Sequence, residues 1–575
     1  MERLEAKKIS GHTYYYYSQW GWKDGKCRRL WQKYLGKMED VVRAVAGEGE
    51  TPLYADVFQW GLPQAIWQEC RQAEVVPAAD ELCPKRDQGL TTGQYLAIAA
   101  VNRAIRPCSK RSLWEWLAQT SLIKEIPAAK PETLTSQRFW DHMDRIGAAE
   151  AKEIWKKVLA GALRREAIDP TAISYDGTNF YTFIDTFNTR CDIARRGKNK
   201  QGRSNLRQIS YALFCSADGP LPLYYDVYEG NRNDAKQFPL LLAKFQAFFL
   251  ETVGVACDPA RVTLVFDKGN NSADNFALVD AIQFGYVGSV KVDEHKELAG
   301  VANGSARFVP CQNPGLEGTT AFRVRKMVYG RERTVVVTYN ANLFDAQWAT
   351  VQNDMAKAMI RLAELQQKLA HRRSGQVRGG RVPTVAAVTR QVAEILSRQH
   401  LKDVITAQVT EETGLPRLEY AVDADGVERL KDAGLGKNIL ISNRAEWDDE
   451  RIILAYRSQY LIEGVFKEMK DREHGNWWPL YHWTDSKIRV HALYCTLALL
   501  LRGLMMRRIA GAGLKLSLGR AMEELGGIRE VVNIFLPPKG KGKQKKEHHQ
   551  SVLSRMSPLQ AELVKALGLG GLKKS

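Results

Sequence analysis

Glu463 lies seven residues after Tyr456 and seven before Lys470, within the run Tyr-Arg-Ser-Gln-Tyr-Leu-Ile-Glu-Gly-Val-Phe-Lys-Glu-Met-Lys. Seven residues miss two full helical turns by about 20° and rise about 10 Å, so one continuous helix would carry the three side chains in a file. That file is a carboxylate flanked by two groups able to hold phosphate. Ile462, Val465, Phe466 and Met469 form the adjoining apolar stripe that would press the helix onto a core. An ordinary amphipathic surface helix has the same pattern, so the meaning of Glu463 depends on acids elsewhere. Asp176 closes the run Ala-Ile-Ser-Tyr-Asp-Gly-Thr, and Asp267 closes Val-Thr-Leu-Val-Phe-Asp-Lys-Gly-Asn. Each reads as a buried strand followed at once by turn residues. A carboxylate at the end of a buried strand is costly unless it is paired, exposed at an edge or bound to a metal. Singly, each aspartate is equally a turn or cap residue. Together with Glu463 they make a set of hard oxygen ligands suited to Mg²⁺ or Mn²⁺, able with a substrate phosphate to hold two ions roughly 4 Å apart.

The elements between the acids have a definite order. After Asp176 come two strand-like runs at 208–216 and 221–230, the second entered through an Asp218-Gly219-Pro220 turn. A helix follows, with Asp234 placed to cap it and Phe238, Leu241, Leu242, Phe245 and Phe248 at helical spacing. Asp267 ends the next strand, a helix spans about 272–282, and a further strand spans 286–292. Three antiparallel strands followed by alternating helix and strand are the ribonuclease-H-like arrangement, an α/β fold with a mixed sheet. In that arrangement the first and fourth strands are neighbours, so Asp176 and Asp267 are expected to meet and a later helix to bring Glu463 to them.

On these residues the chain resembles the DDE transposases of bacterial insertion sequences, in the branch marked by a Tyr-Arg-Glu-Lys signature around the third acid. The resemblance is carried by Tyr-Asp176-Gly-Thr, Gly230-Asn231-x-x-Asp234, Phe-Asp267-Lys-Gly, the strand from Tyr286 to Lys291, and Tyr456 through Lys470, with a tail from Pro479 to His491. It covers roughly residues 170–505. It implies a metal-dependent enzyme that cleaves DNA at the element's ends and transfers the strand into target DNA, using Asp176, Asp267 and Glu463 with two Mg²⁺ or Mn²⁺ ions. It also implies that Tyr456 and Lys470 grip the end strand without a covalent protein–DNA link. Where the signature has Arg, this chain has Gln459; Arg457 points about 100° off the file, and Lys467, one turn after Glu463, could supply the missing charge. A nuclease sharing the same core without strand transfer, or a DNA-binding regulator derived from a transposase, are the competing expectations; retention of all three acids disfavours the regulator.

Composition agrees with a nucleic-acid partner. The formal net charge is +18 and the sequence pI about 9.3, a balance that concentrates polyanions by counterion release. Double-stranded DNA, as transposon end and as target, is the expected partner, with a homodimer forming on it. Arg195, Arg196, Lys198, Lys200, Arg203 and Arg207 crowd the loop after the first core strand; Arg372, Arg373, Arg378 and Arg381 form a second group, and Lys539 to Lys546 a basic tail. The first group is the best candidate for DNA contact because its loop leaves the sheet that holds Asp176. Nine cysteines without a Cys-x-x-Cys pair argue for reduced thiols, and His482 and His491 have no ligand-like neighbours. The N-terminus lacks an apolar signal core, and the best apolar run, 492–504, is too short to span a bilayer. The expectation is a cytoplasmic bacterial protein, associated with the nucleoid when on DNA and not with membrane.

The domain reading runs end to end. Residues 1–85 are a β-rich region with a hairpin turning at Lys23-Asp24-Gly25. Residues 86–168 are helical, with Thr92, Ser109 and Thr135 as caps, and their Arg- and Trp-bearing helices could recognise DNA or simply pack. The core's first part is 169–298 and its second, with the Glu463 helix, 446–510; residues 511–575 are a C-terminal region. Asp267 and Glu463 stand about 195 residues apart, too far for one connecting helix, so 299–445 is read as an inserted α+β domain. It has strands at 321–329 and 333–339, a helical hairpin of 346–371 and 384–398, and strands at 418–422 and 438–442. Packing is the plain use of the hairpin's apolar stripe; a dimer contact is the sharper one.

Overall fold

The computed structural model describes residues 2–572 apart from 24–25, 46–51, 85–88, 198–201, 204, 254–257, 268, 270, 283, 378, 472 and 536–547. They form two compact units: Ala65–Leu117 with Ile126–Ala521, and Met1–Gln64 with Ala118–Glu125 and Met522–Ser575.

The larger unit is built on one mixed sheet. Five of its strands are β1 (Ala172–Tyr181), β2 (Arg207–Ser216), β3 (Leu221–Glu229), β4 (Thr263–Phe266) and β5 (Gly285–Val290), in the spatial order β3-β2-β1-β4-β5. β1, β2 and β3 are antiparallel neighbours, whereas β4 runs parallel to both β1 and β5. This is the ribonuclease-H-like order that the sequence predicts. β4 and β5 are buried along their whole length, as parallel strands covered on both faces must be. Helix α1 (Asp234–Val253) supplies part of that cover: Phe245 stacks on Phe214 of β2 at 4.2 Å, and Phe238 meets Phe266 of β4 at 5.4 Å. The side chain of Asp234, expected to cap α1, lies outside the described residues. Helix α2 (Ala273–Ala281) links β4 to β5 and is capped by Ser272, whose hydroxyl accepts from Asn275 N.

The insertion divides in two. β6 (Thr319–Val328), β7 (Arg331–Asn340) and β8 (Lys437–Ser442) do not make a sheet of their own but lengthen the core sheet beyond β5, in the order β5-β8-β7-β6 and all antiparallel. The helical remainder has a separate core. Val351, Leu362 and Leu369 of α3 (Ala341–Arg373) close on Val388, Val392 and Ile395 of α4 (Val385–Ile395) and on Leu418 of a two-stranded sheet, Ile405–Glu412 with Leu415–Val422. The apolar stripe of the hairpin is therefore spent within the chain.

Two more helices carry the signature residues, and here the sequence expectation of a single helix is corrected. α5 (Asp449–Arg457) ends one residue after Tyr456, and α6 (Gln459–Lys470) carries Glu463 and Lys470. Ser458 makes the break. Its amide is shared between Leu454 O at 3.0 Å and Ala455 O at 3.2 Å, and its hydroxyl bonds back to Ala455 O at 2.6 Å, the local competition by which serine disturbs a helix. α7 (Asp485–Gly511) then crosses the core. It is long and apolar enough to cross a bilayer, more so than the sequence suggests, but 89% of its apolar window is buried inside the protein. The helix Thr92–Ile105 is likewise buried on nearly every side, and its cap is Thr91, in a box with Gln94, rather than Thr92. A helix enclosed all round packs and offers no face to a DNA groove.

In the smaller unit, Glu2–Ile9, His12–Lys23 and Lys26–Gly36 form a three-stranded antiparallel sheet, one strand more than the expected hairpin. Tyr54–Gln59, Arg529–Phe535 and His548–Leu553 form a second, with Arg529–Phe535 central. The basic tail, Lys539 to Lys546, lies outside the described residues.

Candidate active site

The parallel pairing of β1 with β4 sets the level of the two aspartates. Ile173 pairs with Leu264 and Ser174 with Val265; carried on by two residues, the register sets Asp176 beside Asp267. β4 stops at Phe266, while β1 continues to Tyr181 because β2 pairs with it throughout. Asp176 is therefore in mid-strand, not at a strand end as its sequence suggests. It stands where its parallel neighbour has run out, which leaves that edge of β1 open. Both carboxylates are half-buried.

The third side of the site comes from α5 and α6. The Tyr456 hydroxyl donates to Ser289 Oγ at 2.9 Å and stands 3.4 Å from Asp267 Oδ1; Ser289 Oγ is itself 3.4 Å from the same carboxylate oxygen. Burial, assisted by the negative charges of Asp267 and Glu463, pushes the Tyr456 phenol up to about 12. Tyr456 is thus a neutral hydroxyl at physiological pH. Glu463 is exposed on α6 and, with Tyr456, Gln459, Thr338 and Asn340, lines a cavity of about 340 Å³. α6 is seated on β1: Lys470 Nζ donates to Thr178 Oγ1 and lies 5.3 Å from the centre of the Phe180 ring, and Ser458 Oγ is 3.4 Å from Ser174 Oγ.

The structure thus brings Asp176, Asp267 and Tyr456 to the end of β4 beside the middle of β1, with Lys470 reaching Thr178 two residues further along β1 and Glu463 sharing a cavity with Tyr456. Among the described residues no three His, Cys, Asp or Glu side chains gather closely enough to share one ion. The donor chemistry still suits Mg²⁺, which is ordinarily held by one or two carboxylates, waters and substrate phosphates rather than by a cage of protein ligands.

Lys467 is exposed on α6, whereas Gln459 is only 7% exposed and faces the cavity beside Glu463. Arg457 is occupied, donating to Gly315 O at 2.9 Å and Thr319 Oγ1 at 2.7 Å. In the basic loop Arg195 pairs with Asp192 at 2.7 Å, Arg196 donates to Thr186 Oγ1 at 2.8 Å, and the Arg203 guanidinium lies 4.5 Å from the centre of the Tyr181 ring. Lys198 and Lys200 lie outside the described residues. The loop is tied down where Asp192 N and Ile193 N donate to Asp485 Oδ1 at the start of α7. His482 and His491 are structural: His491 Nε2 is 2.9 Å from Trp477 O, and burial pushes both imidazoles well below their usual range.

Ser289 and Thr178 are site residues that the sequence reading did not single out. The signal for Ser289 was a hydroxyl inside an apolar strand, Tyr286 to Val290, where a buried polar group must have a partner.

No protein-family model matches the chain, and no curated protein matches it. Among solved structures it is similar to a piggyBac transposase synaptic complex with hairpin DNA, at 9% identity over 81% of this chain and 79% of that one, with a TM-score of 0.34. It is also similar to a Mos1 transposase paired-end complex with the left transposon end, at 11% identity over 37% of this chain and 63% of that one, and to a pre-cleavage Mos1 transpososome, at 10% identity over 35% and 60%; both TM-scores are 0.15. The ribonuclease-H-like order is carried by the chain's own strands, β3-β2-β1-β4-β5.

Proposed function

We propose that this chain is a transposase, binding the ends of an insertion sequence and catalysing metal-dependent DNA strand cleavage and strand transfer at Asp176, Asp267 and Glu463. The observation that supports it most is the register of β1 against β4, which puts two carboxylates level at the open end of a parallel strand pair, with the helix bearing the third acid seated on β1. Asp176 and Asp267 would hold Mg²⁺ or Mn²⁺, and Glu463 would complete the set. Bound there, the ions would make water or a DNA 3′-hydroxyl nucleophilic and stabilise the leaving oxygen.

The chain's own residues would do the holding. Tyr456, a neutral donor beside Asp267, can give its hydrogen bond to a phosphate oxygen instead of Ser289. Lys470 can turn from Thr178 to the backbone of the end strand. Lys467, Arg195, Arg196, Lys198 and Arg203 would extend the positive surface along double-stranded DNA, and pairing of two ends would make the working species a dimer. The decisive test is to look for inverted repeats flanking the gene and to assay cleavage and joining of a mini-element that carries them, with and without divalent ion; absence of such repeats counts against the transposase.

Two predictions separate these roles. For Lys470→Ala, end binding weakens and the slope of log affinity against log salt becomes shallower by about one phosphate contact; an unchanged slope removes Lys470 from the clamp. For Tyr456→Phe, cleavage falls by no more than roughly tenfold, as for loss of one hydrogen bond, with an unaltered pH profile below pH 10. Complete loss of cleavage there would instead make the tyrosine a nucleophile.

A further inference from the structure

The three-stranded sheet of the smaller unit carries an unusual surface. Residues 2–36 hold eight Lys and Arg against three Asp and Glu, and eight of the chain's tyrosines and tryptophans. Cross-strand register sorts part of this set onto one face. Lys7 pairs with Tyr14, Tyr16 with Tyr34, and Trp20 with Arg29 across a bulge, so their side chains point to the same side. Contacts agree: the Tyr16 and Tyr34 rings are 5.2 Å apart, Lys7 Nζ lies 4.9 Å from the centre of the Tyr16 ring, and the Arg29 guanidinium 5.9 Å from that of Trp20. One carboxylate shares the face, Glu5, which accepts from Trp20 Nε1 and Gln32 Nε2 and pairs with Arg29. At the rim the rings face solvent: Trp22 is 80% exposed and Tyr34 55% exposed.

Rings of this size left open cost burial that a monomeric surface usually avoids. A row of rings down the central strand, Tyr16, Trp20 and Trp22, with Lys7 and Arg29 on the strands to either side, matches bases and phosphates along an unpaired nucleic-acid strand. Open sheet faces with exposed aromatics are how single strands are stacked and held, with lysine and arginine tracking the backbone. On the face itself Lys7 and Arg29 stand against the single carboxylate of Glu5, and the strands that carry it hold further lysines and arginines, a positive balance that favours a nucleic-acid strand over a protein partner.

We infer that this face, bearing Lys7, Tyr16, Trp20, Trp22, Arg29 and Tyr34, is a docking surface for single-stranded nucleic acid, built from none of the residues of the acidic site. It does not rest on the cleavage reading, since a chain unable to cleave would keep it.

The test uses the full chain in EDTA with a labelled oligothymidine, a duplex of equal length and phosphatidylserine vesicles. Trp22→Leu with Tyr34→Leu is expected to weaken oligothymidine binding about tenfold or more while changing duplex binding less than about twofold. Trp22→Phe with Tyr34→Phe, which keeps the rings, is expected to bind within about twofold of the native chain, separating loss of stacking from loss of fold. Arg29→Gln is expected to weaken binding and make its salt dependence shallower. Oligothymidine binding unchanged in the leucine variant overturns the inference. So does an equal loss on duplex and single strand, or a loss confined to the vesicles.

Discussion

Asp176→Asn and Asp267→Asn are each expected to lower metal-dependent strand cleavage by roughly three orders of magnitude or more while leaving end binding equal to or tighter than that of the native chain. Asparagine keeps the shape and one oxygen of aspartate but loses the charge that a divalent ion needs. Both side chains are half-buried at the open end of β4, where nothing else described could take their place as paired carboxylates. Binding should not suffer, because each substitution removes a negative charge from a surface that receives phosphate. Glu463→Gln should give the same loss of cleavage. Its carboxylate is exposed and shares a cavity with Tyr456, whose hydroxyl stands 3.4 Å from Asp267 Oδ1. A gel assay of nicking and joining, paired with a binding isotherm on the same ends, reads both quantities. Any one of the three variants that cleaves at near-native rate loses its place in the site. Loss of binding in step with cleavage would mean that the acids support the fold instead.

Much of this site is legible in the sequence, for reasons that can be named. β4 and β5 are buried parallel strands, so they read as unbroken apolar runs, and an aspartate directly after such a run is conspicuous. The order of strands and helices then limits the sheet to few arrangements, and the adjacency of β1 and β4 follows. What could not be read depends on partners distant in sequence. Asp176 looks terminal because Gly177 and Thr178 look like a turn, yet β2 holds β1 extended to Tyr181. The break at Ser458 arises from a serine that helices tolerate elsewhere; its hydroxyl bonds back to Ala455 O while β1 presents Ser174 beneath it. That β6 to β8 join the core sheet rather than one of their own is set by pairing between β8 and β5, some 150 residues apart in the chain. Charge is legible and its local partners are not: Arg195 reads as a candidate for phosphate, and only the structure shows it paired at the surface with Asp192 at 2.7 Å, a partner that phosphate would have to replace.

The second large effect is expected away from the acids, at Arg502. This residue of α7 is 1% exposed, and its guanidinium is fully engaged: Nε donates to Ala104 O at 2.8 Å, Nη1 to Glu468 Oε1 at 2.7 Å, and Nη2 to His474 O at 2.7 Å. One planar fork thereby joins the end of Thr92–Ile105, the last turn of α6 and the segment that follows it to α7. Arg502→Met keeps the bulk but leaves two carbonyls and a half-buried carboxylate without their donor, a loss of about 3–5 kcal/mol by the usual cost of breaking a buried charged pair from one side. Arg502→Lys retains the charge, yet a single ammonium cannot reach three acceptors set around a plane, so it should recover less than half of the loss. Urea titration followed by tryptophan fluorescence measures the shift, and hydrogen exchange locates it: amides of α6 should exchange faster than those of β4 and β5. Because Glu468 lies five residues beyond Glu463 on the same helix, Arg502→Met should also slow cleavage under conditions where the chain remains folded. A variant within about 1 kcal/mol of native stability, with α6 still protected, would show that the helix is held to the core by its apolar face alone, through Ile462, Val465, Phe466 and Met469.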